Sequence, residues 1–305
     1  IRDGENLNLI KEWESARGVE LAFHPSGQIL ALGLAPDGLV EIRTVPDGEL
    51  IKTIYTDTDR ENWDGPYGDE PDPRGDSVEQ IKFSPDGKYM LTRTDGEWKV
   101  MVWETKDWSL KYALRKDEPK SQVYWAEFSP DSQSVYVSSN LPLYYPAGNE
   151  KSGQPVPADQ RAGWISQYDL SNGQKIRELR DKSLLGCYRF YFSHDGQKIL
   201  IEGVKKINDD SNSEKMMMSI WELDNSSQLK WLPRVSIGAR SIDFFIPYAA
   251  IGGDSGNFSL WKAETQELLC DVDLHGRISG VAFSSNGKKI AVGSKGSCYL
   301  FRVSE

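Results

Sequence analysis

Residues 78–114 read VEQIKFSPDGKYMLTRTDGEWKVMVWETKDWSLKYAL. Four short runs alternate apolar or aromatic residues with polar ones, and each run stops at a turn. Residues 78–83 stop at Ser84-Pro85-Asp86-Gly87, 88–94 at Asp95-Gly96, 98–104 at Thr105-Lys106-Asp107, and 108–114 close the unit. Proline presets φ, glycine accepts positive φ and aspartate bonds its own backbone, so each stop has a physical cause. A period of two over runs this short predicts a four-stranded antiparallel meander.

The unit recurs. FHPSGQILALG begins at Phe23, FSPDGKYMLT at Phe83, FSPDSQSVYVS at Phe128, FSHDGQKILIEG at Phe192 and FSSNGKKIAVG at Phe283, with a degenerate FIPYAAIGG at Phe245. The spacings are 60, 45, 64, 53 and 38 residues, and the long ones contain inserts at 55–76, 140–163 and 203–216. A period of about 40 residues with four strands per unit predicts a β-propeller. The six units fall at 18–54, 77–114, 122–180, 186–232, 238–273 and 278–304. Seven blades is the alternative. No stretch carries a helical period over a helix-sized length, so the fold class is all-β. A single blade cannot bury its own faces, which predicts one domain over residues 1–305. The last unit has only three strands, and residues 7–14 (LNLIKEWE) form an orphan strand. The expectation is that this strand completes the last blade and closes the ring, removing exposed edges.

The third strands end in MVWET at Met101, QYDLSNGQ at Gln167, SIWELDN at Ser219 and SLWKAETQE at Ser259. These endings, repeated along nearly the whole chain, resemble WD repeats of divergent type. In that family a Trp, a Ser or Thr, a His and an Asp form a buried hydrogen-bonded tetrad. The resemblance implies a structural role for Trp103, Trp221 and Trp261, and for Asp95 and Asp254; Asp37 also matches the Asp position. No Gly-His pair precedes any first strand, and no repeat keeps all four members. The TolB-like propellers share the FSPDGK turn and the same fold expectation.

Composition narrows the function classes. The net charge of −10 argues against non-specific nucleic-acid binding. No apolar run reaches the length of a membrane span. Cys187, Cys270 and Cys298 lie in different units without a CxxC, which predicts free thiols and a cytoplasmic protein. The chain begins at Ile1 without methionine or a signal peptide, which fits a processed form or a domain cut from a longer protein; the propeller is expected to be monomeric.

The inserts hold the candidate chemistry. In a meander, the turns joining strands one to two and three to four share one end, and all of these are tight. The inserts belong to the other connections, which predicts that they gather on one face. Residues 55–76 carry eight acidic side chains against Arg60 and Arg74. Either this loop is simply solvated, or it recognises a basic protein partner through Asp69, Glu70 and Asp72, with Trp63 and Tyr67 as anchors. The second insert adds Tyr144 and Tyr145, which pack onto the blade or form a contact patch. The third leads into Met216-Met217-Met218, read as strand core. There is no GxSxG, HExxH, P-loop or GxGxxG. His24 and His194 sit in hairpin turns, and His275 sits between repeats. The expectation is a non-enzymatic protein-interaction scaffold with no catalytic residue, metal or cofactor. The alternative is a propeller hydrolase or lyase, or a sugar- or small-ligand-binding propeller, with its site at the central channel.

Overall fold

The computed structural model describes residues 18–34, 38–56, 77–94, 99–114, 121–141, 154, 156–157, 160–206, 214–223, 229–232, 239–245, 247–263, 265, 267–284 and 286–303. These contain 23 strands and no helix. The chain divides into two compact units: Ile1–Val156 with Ser166–Glu178, and Pro157–Ile165 with Leu179–Glu305.

In the first unit, β1 (Gly18–Phe23), β2 (Ile29–Leu34), β3 (Leu39–Thr44) and β4 (Leu50–Tyr55) make one sheet. A second holds β5 (Val78–Phe83), β6 (Tyr89–Thr94), β7 (Val100–Glu104) and β8 (Ser109–Leu114). The third holds β9 (Gln122–Phe128), β10 (Ser134–Asn140), β11 (Gly163–Asp169) and β12 (Lys175–Arg180), its last two strands crossing between the units. In the second unit, β13 (Leu184–Phe192), β14 (Lys198–Lys206), β15 (Glu214–Glu222) and β16 (Leu229–Trp231) form the fourth sheet. The fifth holds β17 (Ala239–Phe245), β18 (Tyr248–Gly253), β19 (Asn257–Lys262) and β20 (Glu267–Asp273). The sixth has three strands: β21 (Ile278–Phe283), β22 (Lys289–Ser294) and β23 (Ser297–Arg302). Strand order follows chain order in every sheet, so each is a blade-like meander.

The first strand of the fourth sheet begins at Leu184, two residues before the approximate start expected for that repeat. Of the expected insert 203–216, residues 203–206 and 214–216 belong to strands. β14 runs on to Lys206 and β15 begins at Glu214, with Lys205 opposite Lys215 and Lys206 opposite Glu214. The connection between the two strands is thus shortened to residues 207–213, which lie outside the described residues.

Sheets stack face to face within each unit. Met90 and Met101 join Ala31, Val40 and Ile42 of the first sheet in one apolar layer. Their strand neighbours Leu91, Val100 and Val102 point the other way, onto Val123, Ala126 and Val137 of the third. In the second unit Ala249 and Ile251 pack against Leu200 and Ile220, whereas Ala250 and Phe258 meet Ile278 and Val292. A sheet buried on both faces needs apolar residues at both parities. That is why the second strands read as near-continuous runs such as YMLT and KILIEG.

Stacking leaves the outward backbone edge of each first strand to be satisfied. Gln80, 0 % exposed, does this in the first unit. Its Nε2 donates to the Ala126 carbonyl at 2.7 Å, and its Oε1 accepts the Ala126 N–H at 3.1 Å. One amide thus mimics a strand pairing between β5 and β9. In the second unit Ser241 Oγ accepts the Val281 N–H at 2.9 Å, and Asp243 Oδ2 accepts the Phe283 N–H at 2.6 Å.

Two outcomes are expected. Gln80→Ala strands two buried backbone groups and should cost about 2–4 kcal/mol in urea unfolding. Gln80→Met, of similar volume, should cost nearly as much, and wild-type stability in that variant would refute the amide's role. Residues 7–14 lie outside the described residues, while β23 shows an edge with Leu300 65 % exposed. If residues 7–14 pair there, deleting residues 1–15 should produce aggregation or a large fall in melting temperature. A monomer with unchanged melting temperature would exclude that pairing.

Candidate functional site

Each sheet has a tight end and an open end. The tight end is built from a repeated side-chain network. Ser84 Oγ–H donates to Asp86 Oδ1 at 2.7 Å, and the Lys88 and Tyr89 amides donate to Asp86 Oδ1 and Ser84 Oγ. The same bond recurs at Ser129–Asp131 (2.5 Å), Ser193–Asp195 (2.7 Å) and Ser284–Asn286 (2.8 Å). In the first repeat His24 takes the serine's place, and its Nδ1 accepts the Ser26 N–H at 3.1 Å. Its Nε2 lies 2.8 Å from the Gly87 carbonyl, which can only accept, so the ring carries its hydrogen on Nε2. Gly87 has φ +74°, and a Cβ there would fall 2.6 Å from His24. In the third repeat Ser132 stands at that glycine's position with φ 57°, and its Oγ accepts the Asp86 N–H at 3.1 Å. Successive turns are therefore latched together. His194 similarly lies against Phe245, with ring centroids 5.1 Å apart. The two turn histidines are inter-repeat contacts, a role the sequence did not reveal.

The open end is irregular. All six first strands shift register against their partners near this end. The breaks fall between Gly18 and Glu20, Val78 and Gln80, Val123 and Trp125, Leu184 and Gly186, Ala239 and Ser241, and Ile278 and Gly280. The extra residue in the second, third and sixth sheets is Glu79, Tyr124 and Ser279. Bulges re-aim side chains and are common beside functional sites. In the first unit Glu79 lies 4.0 Å from Arg93, and Tyr124 donates to Gln122 Oε1 at 2.8 Å. Burial pushes the Tyr124 hydroxyl above its ordinary value, with Arg93 opposing. Nothing in the alternation of residues marks these positions, because a bulge costs only one residue of register.

The proposed contact residues Trp63, Tyr67, Asp69, Glu70, Asp72, Tyr144 and Tyr145 lie outside the described residues, as do Asp37 and Asp95. The two flanking inserts attach at the open end: β5 starts just after 55–76, and β10 ends at Asn140. Trp103, Trp221 and Trp261 are buried in the sheets. Trp103 Nε1 donates to Thr92 Oγ1 at 3.0 Å, the pairing that two members of a WD tetrad would make. Trp261 donates to Ser259 Oγ, on its own strand, at 3.0 Å. Asp254 is exposed and pairs with Arg277 at 3.2 Å. His275 has positive φ and contacts Asp273. No disulfide joins the three cysteines; Cys187 is buried and Cys298 exposed. Among the described residues no group of three or more His, Cys, Asp or Glu is placed to hold a metal ion, and no helix is long and apolar enough to cross a membrane.

Repeated antiparallel meanders of this kind are the blades of a β-propeller fold. The family described as "WD domain, G-beta repeat" matches residues 266–302, covering β20 and the three strands of the last sheet. Among solved structures, a chain of Kuenenia stuttgartiensis hydrazine synthase is similar, with a TM-score of 0.70 and 15 % identity over 99 % of this chain and 88 % of that one. At that identity the likeness concerns fold alone. No curated protein sequence matches the chain.

Glu202 supplies a titration test of the core near the open end. It is 8 % exposed on β14, opposite Arg189 and Met218. Burial pushes its carboxyl above the usual range, and Arg189 only partly offsets this. The folded state therefore holds this proton more tightly than the unfolded state, and stability falls as pH rises above the ordinary glutamate value. Glu202→Gln should gain on the wild type between pH 4 and pH 7 in denaturant unfolding. A difference that does not change with pH would refute the shift.

Proposed function

We propose that the chain is a non-enzymatic protein-interaction scaffold whose partner docks at the open end of the sheets, over the inserts. WD repeats build propellers that often mediate protein interactions, and residues 266–302 are of that type. The observation that carries the reading is the contrast between the two ends. The tight turns spend their polar groups on one another, as in Ser84–Asp86 and Ser193–Asp195. The open end carries the bulges and both long loops. Residues 55–76, net −6 by count of eight acids and two arginines, would steer a basic partner. Aromatic side chains at Trp63, Tyr67, Tyr144 and Tyr145 would then anchor it by burial. Three cysteines without a disulfide suit a reducing compartment such as the cytoplasm.

Affinity capture with the intact chain, followed by kinetics with the purified captured protein, tests the assignment. Charge reversal at Asp69, Glu70 and Asp72 should slow association several-fold, and more so at low salt. Tyr144→Ala with Tyr145→Ala should chiefly speed dissociation. Substitutions at Lys88, Asp107 and Gln197, on the tight turns, should change neither rate. Loss of binding in the tight-turn set with normal binding in the loop variants would overturn the assignment.

A further inference from the structure

The fourth sheet differs from its neighbours in the second unit. β13, β14 and β15 each run nine residues, against six or seven in β17–β20 and six in β21–β23. The added length carries its own small apolar cluster: Leu185 and Val204 are buried, with Tyr188 and Met216 packed on them. It is thus a packed extension of the β14–β15 hairpin.

One face of that hairpin is cationic. Lys205 and Lys215 are directly opposite across β14 and β15 and share a face. Like charges so placed repel, because directly paired side chains approach within about 5 Å. Trp231 lies beside them, with the Lys205 ammonium 5.5 Å from its ring centroid. The indole is fixed by its Nε1–H, which donates to Ser183 Oγ at 2.9 Å, and Ser183 in turn donates to Asp181 at 2.5 Å. Asp181, the described acid nearest the indole, accepts both the amide and the hydroxyl of Ser183.

We infer that Lys205, Lys215 and Trp231 form a docking point for a short acidic segment of a protein partner. Two carboxylates would relieve the lysine repulsion, and the fixed indole would bear on the segment's aliphatic stems. Two lysines suit a short acidic stretch and not a long polyanion, which the chain's net charge of −10 would repel. The inference deepens the scaffold reading by adding a site of opposite charge preference to the acidic insert. The insert variants test that reading separately, so either can fail alone.

The probe is fluorescein-labelled hexaglutamate, followed by anisotropy with the full chain at low salt. Lys205→Ala with Lys215→Ala should weaken binding at least 10-fold. The control is Lys288→Ala with Lys289→Ala, a vicinal pair at a tight turn, which should bind as the wild type does. Lys215→Glu replaces a like-charge pair by an opposite one, so it should abolish binding while raising the melting temperature. It therefore answers the question even if the double variant folds poorly. Wild-type binding in the double variant or in Lys215→Glu overturns the inference. An equal loss in the control pair also overturns it, by reducing the effect to bulk charge. Tighter binding of a six-nucleotide single strand than of hexaglutamate would replace the acidic peptide with nucleic acid and overturn it too.

Discussion

A stacked set of small sheets must satisfy the backbone edge that each first strand turns away from its own partner. An unpaired buried amide or carbonyl costs as much as a lost hydrogen bond, so this edge cannot be left bare where neighbouring sheets exclude water. The chain answers with side chains. Gln80 closes a two-way bond with Ala126. Ser241 and Asp243 accept the amides of Val281 and Phe283. These clamps fix the register between successive sheets and therefore decide which apolar residues meet. Met90 reaches the first sheet and Leu91 the third because the second sheet is held at a set position between them.

The two ends of each sheet then follow different rules. At the tight end the turn serine bonds the turn aspartate in the second, third and fourth repeats, and turns also touch the next one. His24 reaches Gly87, and the Asp86 amide reaches Ser132. A turn so heavily constrained has little freedom to acquire a new role. At the open end the first strands bulge, side chains are re-aimed, and two long connections begin. The fourth sheet extends there by regular pairing of β14 with β15 as far as Lys206 and Glu214. A rigid scaffold with variation confined to one end suits recognition.

The aromatic residue that closes the third strand in five of the six sheets is adapted repeat by repeat. Trp103 has Thr92 across the sheet, whereas Trp261 uses Ser259 on its own strand. The corresponding pair in the fourth sheet, Trp221 Nε1 and Ser219 Oγ, is buried with neither atom bonded. The packing position is thus kept while its hydrogen bond varies. Burying the indole's large apolar surface contributes more than one net hydrogen bond. Divergence of the tetrad therefore leaves the fold standing.

The sequence by itself determined the class of fold. Strand runs with a period of two, each stopped by Pro, Asp or Gly, place almost every strand, because turn chemistry and pleat alternation are local properties. The Ser-x-Asp-Gly turn was legible for the same reason, as were the attachment points of the inserts at Tyr55 and Asn140. What it could not show were relations between repeats. The latch from His24 to Gly87 and the clamp from Gln80 to Ala126 join residues 63 and 46 positions apart. The bulges at Glu79 and Tyr124 leave no mark on alternation, and the continued pairing of Lys205 with Lys215 looked like loop. Only the tertiary structure decided these, because each depends on which backbone groups remain unpaired once the sheets are stacked.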